Sequence, residues 1–352
     1  MTPASVSQPL ICLTPGDPTG VGPEIAAKFL ATLGDRAFYT AADPASPSIV
    51  VVGDIRALNR AASALRLTLP STAEGVSYEA IHPDKAPGEI AFLALQVAIE
   101  RIAAEKRLHH PAALVTGPIS KANLRAAGRE ASGHTEILQT LSRRYFETSG
   151  ETHAEMLFIH DLFRMLLLTR HIPLRGVSDA ITFERVAQAC GTLCKWLQSS
   201  AGIAAPRLAL MALNPHGREI DDREDRRAFD PARDWLWQRY GASLSEPLPA
   251  DALFRDFQPQ TPPYDAYIAA YHDQGLIPMK LVAGLSAVNV TLGLPFLRTS
   301  VSHGMASDIA GRGEANPASL AAAWRVAQDA LTRAVSQADG EGFHGALPSS
   351  GQ

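Results

Sequence analysis

Cysteine is scarce in this chain: three among 352 residues, too few and too odd in number for a disulfide framework. Charge of one sign is equally lacking. Lys and Arg total 32 against 36 Asp and Glu, a formal balance of −4. No block of five or more basic residues occurs, which argues against nucleic acid as the main partner. No apolar run reaches the roughly 18 residues that a membrane-spanning helix needs. The opening MTPASVSQPL has neither the basic flank nor the apolar core of a secretory signal. The chain therefore reads as cytoplasmic, with no membrane partner. Internal repeats are missing too, as are G-x-S-x-G, H-E-x-x-H, the P-loop and the G-x-G-x-x-G dinucleotide fingerprint.

What is present is ordinary globular material. Hydrophobic residues make up 46%, enough for a sizeable core, and at roughly 150 residues per domain the length points to two domains with a cleft. Apolar strand-like runs alternate with amphipathic helical stretches throughout, the pattern of an α/β protein. Strands are expected at 10–14, 49–52, 112–116, 155–159, 164–169, 208–212, 266–270 and 287–290. Several are apolar throughout, as central strands covered on both faces would be. Helices are expected at 23–30, 89–106, 120–127, 134–145, 182–198 and 317–338. The last has Asn316 as N-cap, Pro317 in its first position, and Leu320, Trp324, Ala327, Leu331 and Val335 on one stripe. The stretch 40–48 and the tail after Ala338 read as polar, turn-forming loops.

Candidates for chemistry are few. LTPGDPTGVGPE, from Leu13 to Glu24, leaves a strand, turns on Gly and Pro, and enters a helix; it reads either as an anion-binding loop or as a plain tight turn. Cys190 and Cys194, four apart on a helix, could share a metal but read better as small core residues, because no second Cys or His pair lies nearby. Among the histidines, His171, His216 and His272 stand apart: each ends an apolar run, LLLTRH, LALMALNPH and YIAAYHD. Ligands of α/β sheets bind at the carboxyl ends of strands, and three neutral imidazoles with an open position suit a catalytic divalent cation. The alternative is three separate structural histidines.

Two polar clusters accompany them. TGPISKANLRAAGREASGHTE sets Ser120 at one helix start and His134 and Thr135 at another, where backbone N–H groups favour anions; helix capping explains Ser120 and Thr135 equally well. In HDQGLIPMKLVAGLSAVNVTLGLPFLRTSVSHG, Lys280, Asn289 and Arg298 recur at spacings of nine. A cation among apolar strands and glycine turns is costly unless a phosphate or carboxylate meets it; surface ion pairs are the alternative.

These segments, LTPGDPTGVGPE, TGPISK, GHTE, RHIPL, LNPH, YHDQGLIPMK and VNVTLGLPFLRTSVSHGMASDIAG, resemble in order and across nearly the whole chain the 4-hydroxythreonine-4-phosphate dehydrogenase family of pyridoxine 5'-phosphate biosynthesis. The resemblance implies an NAD- or NADP-dependent oxidoreductase that also uses a divalent metal (zinc, magnesium, cobalt or manganese). It implies His171, His216 and His272 as metal ligands, and His134, Thr135, Lys280, Asn289 and Arg298 as substrate contacts. The implied fold has two α/β domains around a central cleft, isocitrate/isopropylmalate dehydrogenase-like and without a standard Rossmann fingerprint. Residues 1–130 plus 300–352 would form the nucleotide side, and 131–299 the metal, substrate and dimer side. The implied assembly is a homodimer with active sites at the interface. The implied reaction oxidises 4-phosphooxy-L-threonine to 2-amino-3-oxo-4-phosphooxybutanoate, which decarboxylates to 3-amino-2-oxopropyl phosphate. Two departures from the family pattern stand out: an insertion around Tyr145 to Thr152, and a rewritten stretch, GREIDDREDRRAFD from Gly217 to Asp230, that keeps Glu219. They leave room for a relative acting on threonate or erythronate 4-phosphate or on cyclic diols, or for a metal-dependent decarboxylase.

Overall fold

Runs that are apolar at every position become strands buried on both faces. Leu10–Thr14 (β1) and Ala112–Thr116 (β4) are buried at all five positions, because a parallel sheet is covered by crossover helices on each side. The computed structural model describes residues 8–33, 46–82, 84–129, 133–147, 153–219, 222–255 and 257–341. Positions 40–45 of the expected loop, 148–152 of the insertion and the tail from 342 onward lie outside the described residues. The chain divides into two compact units, Met1–Glu147 with Gly304–Gln352, and Thr148–His303.

In the first unit, β1 is followed by α1 (Gly22–Leu33), β2 (Ser48–Gly53), α2 (Ile55–Ala64), β3 (Val76–Ala80), α3 (Pro87–Arg107), β4, α4 (Lys121–Ala126) and α5 (His134–Tyr145). The strands run parallel in the order β3-β2-β1-β4. Helix α3 lies on β1, β2 and β4, and α5 packs against α3, so α5 belongs to this unit and the unit extends past residue 130 to Glu147. The closing helix, Ala318–Glu341, buries Leu320, Trp324, Ala327 and Leu331. Trp324 meets Phe29 of α1 at 5.3 Å between ring centres, and Asn316 Oδ1 accepts from the N–H of Ala318 at 2.9 Å.

The second unit contains β5 (Glu155–His160), β6 (Phe163–Leu167), α6 (Val177–Ala180), α7 (Phe183–Ser199), β7 (Arg207–Leu210), α8 (Asp230–Tyr240), β8 (Ser243–Leu244), α9 (Ala250–Leu253), β9 (Ala266–Ala269), α10 (His272–Ala283), β10 (Val288–Leu292) and β11 (Leu297–Val301). Its strand order is β11-β10-β5-β6-β9-β7-β8. The β11-β10-β5-β6 part is antiparallel; β6, β9, β7 and β8 are parallel. Among the described residues no helix is long and apolar enough to cross a membrane.

Helix α10 is not among the helices expected from the sequence. It contains Gly275 and Pro278, residue types that commonly mark turns, and both sit inside the helix. A Cβ at Gly275 would stand 2.7 Å from Leu167 Cδ2 and 2.9 Å from Ala269 Cβ, so glycine here lets the helix lie directly on β6 and β9. Helix α2 starts on Asp54, whose side chain accepts from Ala57 N, and buries Ala57, Leu58 and Ala62.

One buried charge cluster closes the first unit. Glu24 on α1 is buried and accepts from Lys28 Nζ at 2.9 Å, from the N–H of Ala315 at 2.8 Å and from that of Gly313 at 3.2 Å. Lys28 in turn donates to the carbonyls of Gly313 and Ala315 at 2.8 and 2.7 Å. Burial alone would push the Glu24 carboxyl up; the Lys28 ammonium and the two backbone N–H groups outweigh it and hold it below the ordinary 4.5. A carboxyl lowered on folding stabilises the fold above its unfolded value, and that contribution is lost as pH falls through the lower folded value. Lys28→Met, which strands a buried carboxylate, is expected to cost about 3 kcal/mol at neutral pH. Urea unfolding measured from neutral pH to below 4.5 should show wild type losing more stability in acid than the variant.

Candidate active site

Three parallel strands release their chains at one edge. Residues Met165 to Leu167 of β6 pair with Tyr267 to Ala269 of β9, and Leu208 to Leu210 of β7 pair with Ala266 to Ile268 of β9. His171 follows the carboxyl end of β6, His272 that of β9 and His216 that of β7, so all three leave the same edge of adjacent strands. The His171 and His272 rings face each other at 5.7 Å between centres and 43° between planes. Asp273 Oδ1 lies 2.7 Å from His272 Nδ1. When that nitrogen carries the proton, Nε2 keeps its lone pair. His216 is exposed and takes a left-handed backbone, φ 58°. Among the described residues no three His, Cys, Asp or Glu side chains stand close enough together to hold a metal. Two of the three expected ligands are therefore side by side, with the third on the same edge. Imidazole and carboxylate are donor types that a borderline divalent cation takes, but among the described residues they do not come together as a group of three.

Two side chains that sequence reasoning did not single out tie these strand ends together. Thr169 donates to the Ala270 carbonyl through its N–H at 3.1 Å and its hydroxyl at 2.7 Å. Gln274 Oε1 accepts from the N–H of Ala270 at 2.7 Å, and its Nε2 donates to the Ala212 carbonyl at 2.8 Å. The Thr169–Ala270 and Gln274–Ala212 contacts have no local sequence signal, since each depends on which strands become neighbours.

The anion-clamp residues separate by environment. Arg298 on β11 is 2% exposed, directly opposite Thr291 on β10, and donates to Thr291 Oγ1 at 3.0 Å. Burial pushes its guanidinium down to about 9. Asn289, two residues before Thr291, shares its sheet face, and its buried Oδ1 makes no hydrogen bond among the described residues. Lys280 instead lies exposed in the last turn of α10; the apolar, glycine-rich surroundings expected for it belong to Arg298 alone.

In the first unit, His134 and Thr135 open α5, whose N-cap is Gly133 with no side-chain hydrogen bond. Thr135 is therefore not the cap. Ser120 is one: its hydroxyl accepts from Asn123 N at 3.1 Å. The glycines of LTPGDPTGVGPE serve close backbone approach, for a Cβ at Gly16 (φ +91°) would lie 2.1 Å from the Pro118 carbonyl and one at Gly117 equally near that of Pro15. Asp17 is fully buried and accepts from Thr19 N, Thr19 Oγ1 and Asn123 Nδ2 at 2.9, 2.7 and 2.9 Å. Beside this loop is a cavity of about 330 Å³ lined by Thr19, Gly20, Ala57, Arg60, Gly311 and Gly313, among others. Cys190 and Cys194 are buried free thiols that burial pushes well above their usual range, as core residues would be.

Comparison with known proteins adds the family. The model described as pyridoxal phosphate biosynthetic protein PdxA matches residues 38–327. The 4-hydroxythreonine-4-phosphate dehydrogenase of Methylorubrum populi is 39% identical over 342 residues, spanning 92% of this chain and 95% of that protein. The crystal structure of the 4-hydroxythreonine-4-phosphate dehydrogenase from Klebsiella pneumoniae is 30% identical with a TM-score of 0.71, over 92% of this chain and 100% of that one. A terephthalate 1,2-cis-dihydrodiol dehydrogenase from Burkholderia xenovorans LB400 is 28% identical with a TM-score of 0.60, over 92% and 98%. Matched along most of its length by dehydrogenases, the chain belongs to the PdxA family of pyridoxal phosphate biosynthetic proteins and is an oxidoreductase.

Proposed function

We propose that the chain oxidises the secondary hydroxyl of 4-phosphooxy-L-threonine with NAD+ or NADP+, in the cytoplasm. Hydride passes to the nicotinamide, a proton is released, and the resulting 2-amino-3-oxo-4-phosphooxybutanoate loses CO2 to give 3-amino-2-oxopropyl phosphate. The observation that carries this reading is the pairing of His171 with His272 on a strand edge that also releases His216. These three would hold a divalent cation, which when bound supplies Lewis-acid polarisation of a substrate oxygen. Asp273 would fix the His272 ring so that Nε2 faces outward as a donor. Arg298, buried and therefore dearly desolvated, would gain most from an anionic group of the substrate. Asn289 would offer its Oδ1 to a substrate N–H or O–H, and His134 and Thr135 would orient the substrate at the uncapped start of α5. The nucleotide is assigned to the first unit, supported by the cavity beside the 15–22 loop.

A second reading keeps the chemistry and changes the acid. Arg218, in the rewritten stretch after His216, pairs with Asp230 in that stretch and with Glu246 beyond it at 2.8 Å. The departure of this stretch from the family pattern is what keeps a relative acting on threonate or erythronate 4-phosphate as the second reading. Purified protein assayed with each of the three phosphates and either nucleotide, by nicotinamide absorbance, decides between them; no turnover of any would overturn both.

Three outcomes follow from the site. Chelation, or His171→Ala, His216→Ala or His272→Ala, should abolish activity and lower bound metal; normal metal content in all three variants would contradict the assignment. Arg298→Met should lower kcat/KM for the phosphorylated substrate about 10- to 150-fold, from the worth of one charge-assisted contact, and lower it far less for an unphosphorylated analogue. Equal losses would mean that Arg298 does not read phosphate. The proposed homodimer is supported by the family resemblance and by Ile277, Leu281 and Leu285, which form an exposed apolar stripe on and just after α10, Leu281 at 82% exposure. Light scattering should report a dimer, and Leu281→Glu a monomer.

A further inference from the structure

The cavity beside the 15–22 loop, about 330 Å³, is lined entirely by residues of the first unit. Helix α2 gives it one face: Ala57, Arg60, Ala61, Ala64 and, just past the helix, Leu65, spaced i, i+3, i+4, i+7 and i+8. Pro18, Pro23 and Ala310 extend the apolar lining, and Gly20, Gly311 and Gly313 present bare backbone. A slot walled by short apolar side chains and backbone suits a flat ring system, held by contact on its faces.

The polar capacity of the neighbouring loop is spent. The N–H groups of Asp17, Thr19, Gly20 and Val21 donate to the Pro118 carbonyl, the Asp17 carboxylate, the Asp17 carbonyl and the Met305 carbonyl. In spite of its glycines, this loop offers no run of open amides at 17–21 to cradle a pyrophosphate. The one carboxylate in the lining, Glu24, already accepts from Lys28, Gly313 N and Ala315 N. Arg60 is the one cation in the lining. Among the described residues it makes no hydrogen bond or ion pair, and α2 carries no Asp or Glu to neutralise it. An apolar slot with a single open guanidinium at its wall fits the base and ribose of a nucleotide better than its phosphate bridge.

We propose that this cavity receives the adenosine end of the nicotinamide nucleotide and that Arg60 pairs with a phosphate on the ribose 2'-oxygen, so that the chain selects NADP+ over NAD+. The proposal deepens the nucleotide reading given above and rests on it. A guanidinium meets a phosphate through two parallel N–H donors. An arginine beside the ribose accommodates the 2'-phosphate, where an acidic residue would instead take the free 2'-hydroxyl. Glu24 is not available for that second role, because its oxygens are committed to Lys28 and the 313–315 backbone.

The test is calorimetric titration of the full-length protein with NADP+, NAD+, 2'-AMP and 5'-AMP. Wild type should bind NADP+ more tightly than NAD+, and 2'-AMP more tightly than 5'-AMP. Arg60→Met should weaken NADP+ and 2'-AMP about 10- to 150-fold, the worth of one charge-assisted contact, and leave NAD+ and 5'-AMP nearly unchanged. Arg56→Met, one turn away on α2 and outside the lining, should change none of the four. Ala61→Phe, which fills the slot, should weaken all four. Equal wild-type affinity for NADP+ and NAD+, or equal losses for both in Arg60→Met, would overturn the role of Arg60. So would a loss in Arg56→Met as large as in Arg60→Met, since the net charge of α2 would then be what is read. Full affinity in Ala61→Phe would overturn the location. A wild type that binds neither dinucleotide would overturn the nucleotide reading itself, and with it this proposal.

Discussion

The seat of α10 on the sheet is the constraint from which the candidate site follows. Where Gly275 crosses β6 and β9 there is no room for a side chain: Leu167, Ala269 and Met165 all stand within about van der Waals contact of the missing Cβ. The helix can therefore begin immediately at the strand edge, with His272 as its first residue. Had the helix been held one side chain further out, His272 would not reach His171, and Gln274 would not reach two strand ends at once. A packing decision at one glycine thus determines what the neighbouring polar residues can do.

Charge is distributed between the units with the same economy of means. In the first, Glu24 and Lys28 neutralise one another and spend their remaining hydrogen-bonding capacity on the backbone of Gly313 and Ala315. In the second, the buried Glu155 pairs with the half-buried Arg185, and Arg185 also holds the Leu168 carbonyl just ahead of Thr169. Arg298 is buried at 2% exposure and donates to the neutral hydroxyl of Thr291, and burial pushes its guanidinium below the ordinary arginine range.

Much of this was legible in the sequence, and the parts that were not share a cause. β1, β4 and α5 have the expected bounds to the residue, since burial on both faces or along one stripe writes itself into composition. The edge strand β3, VSYEA, is half-buried and polar and gives no such pattern. His171, His216 and His272 could be singled out because strand-end placement is a local property of the chain. The environment of Lys280 could not, because Gly275 and Pro278 signal a turn in one dimension and a close helix crossing in three. Thr169 and Gln274 were invisible for a related reason: the partners that tie them across the sheet are backbone groups 101 and 62 positions away, and only the strand order brings them within reach.

The Glu24 cluster also has a temporal side. Its partners, Gly313 and Ala315, come 289 and 291 positions later in the chain, and the whole of Thr148–His303 is threaded between them. During synthesis the second unit is complete before the segment that closes the first has been made. The first unit must then wait, with the Glu24 carboxylate still lacking its two backbone N–H partners and the surface awaiting Leu320 and Trp324 uncovered, until its last helix arrives. Contacts of such long sequence separation are slow to form, and open apolar surface in the interval is where a chain of this size is exposed to aggregation. The vulnerable species in the life of this protein is accordingly a nascent one, whose later half is folded and whose earlier half is still unsealed.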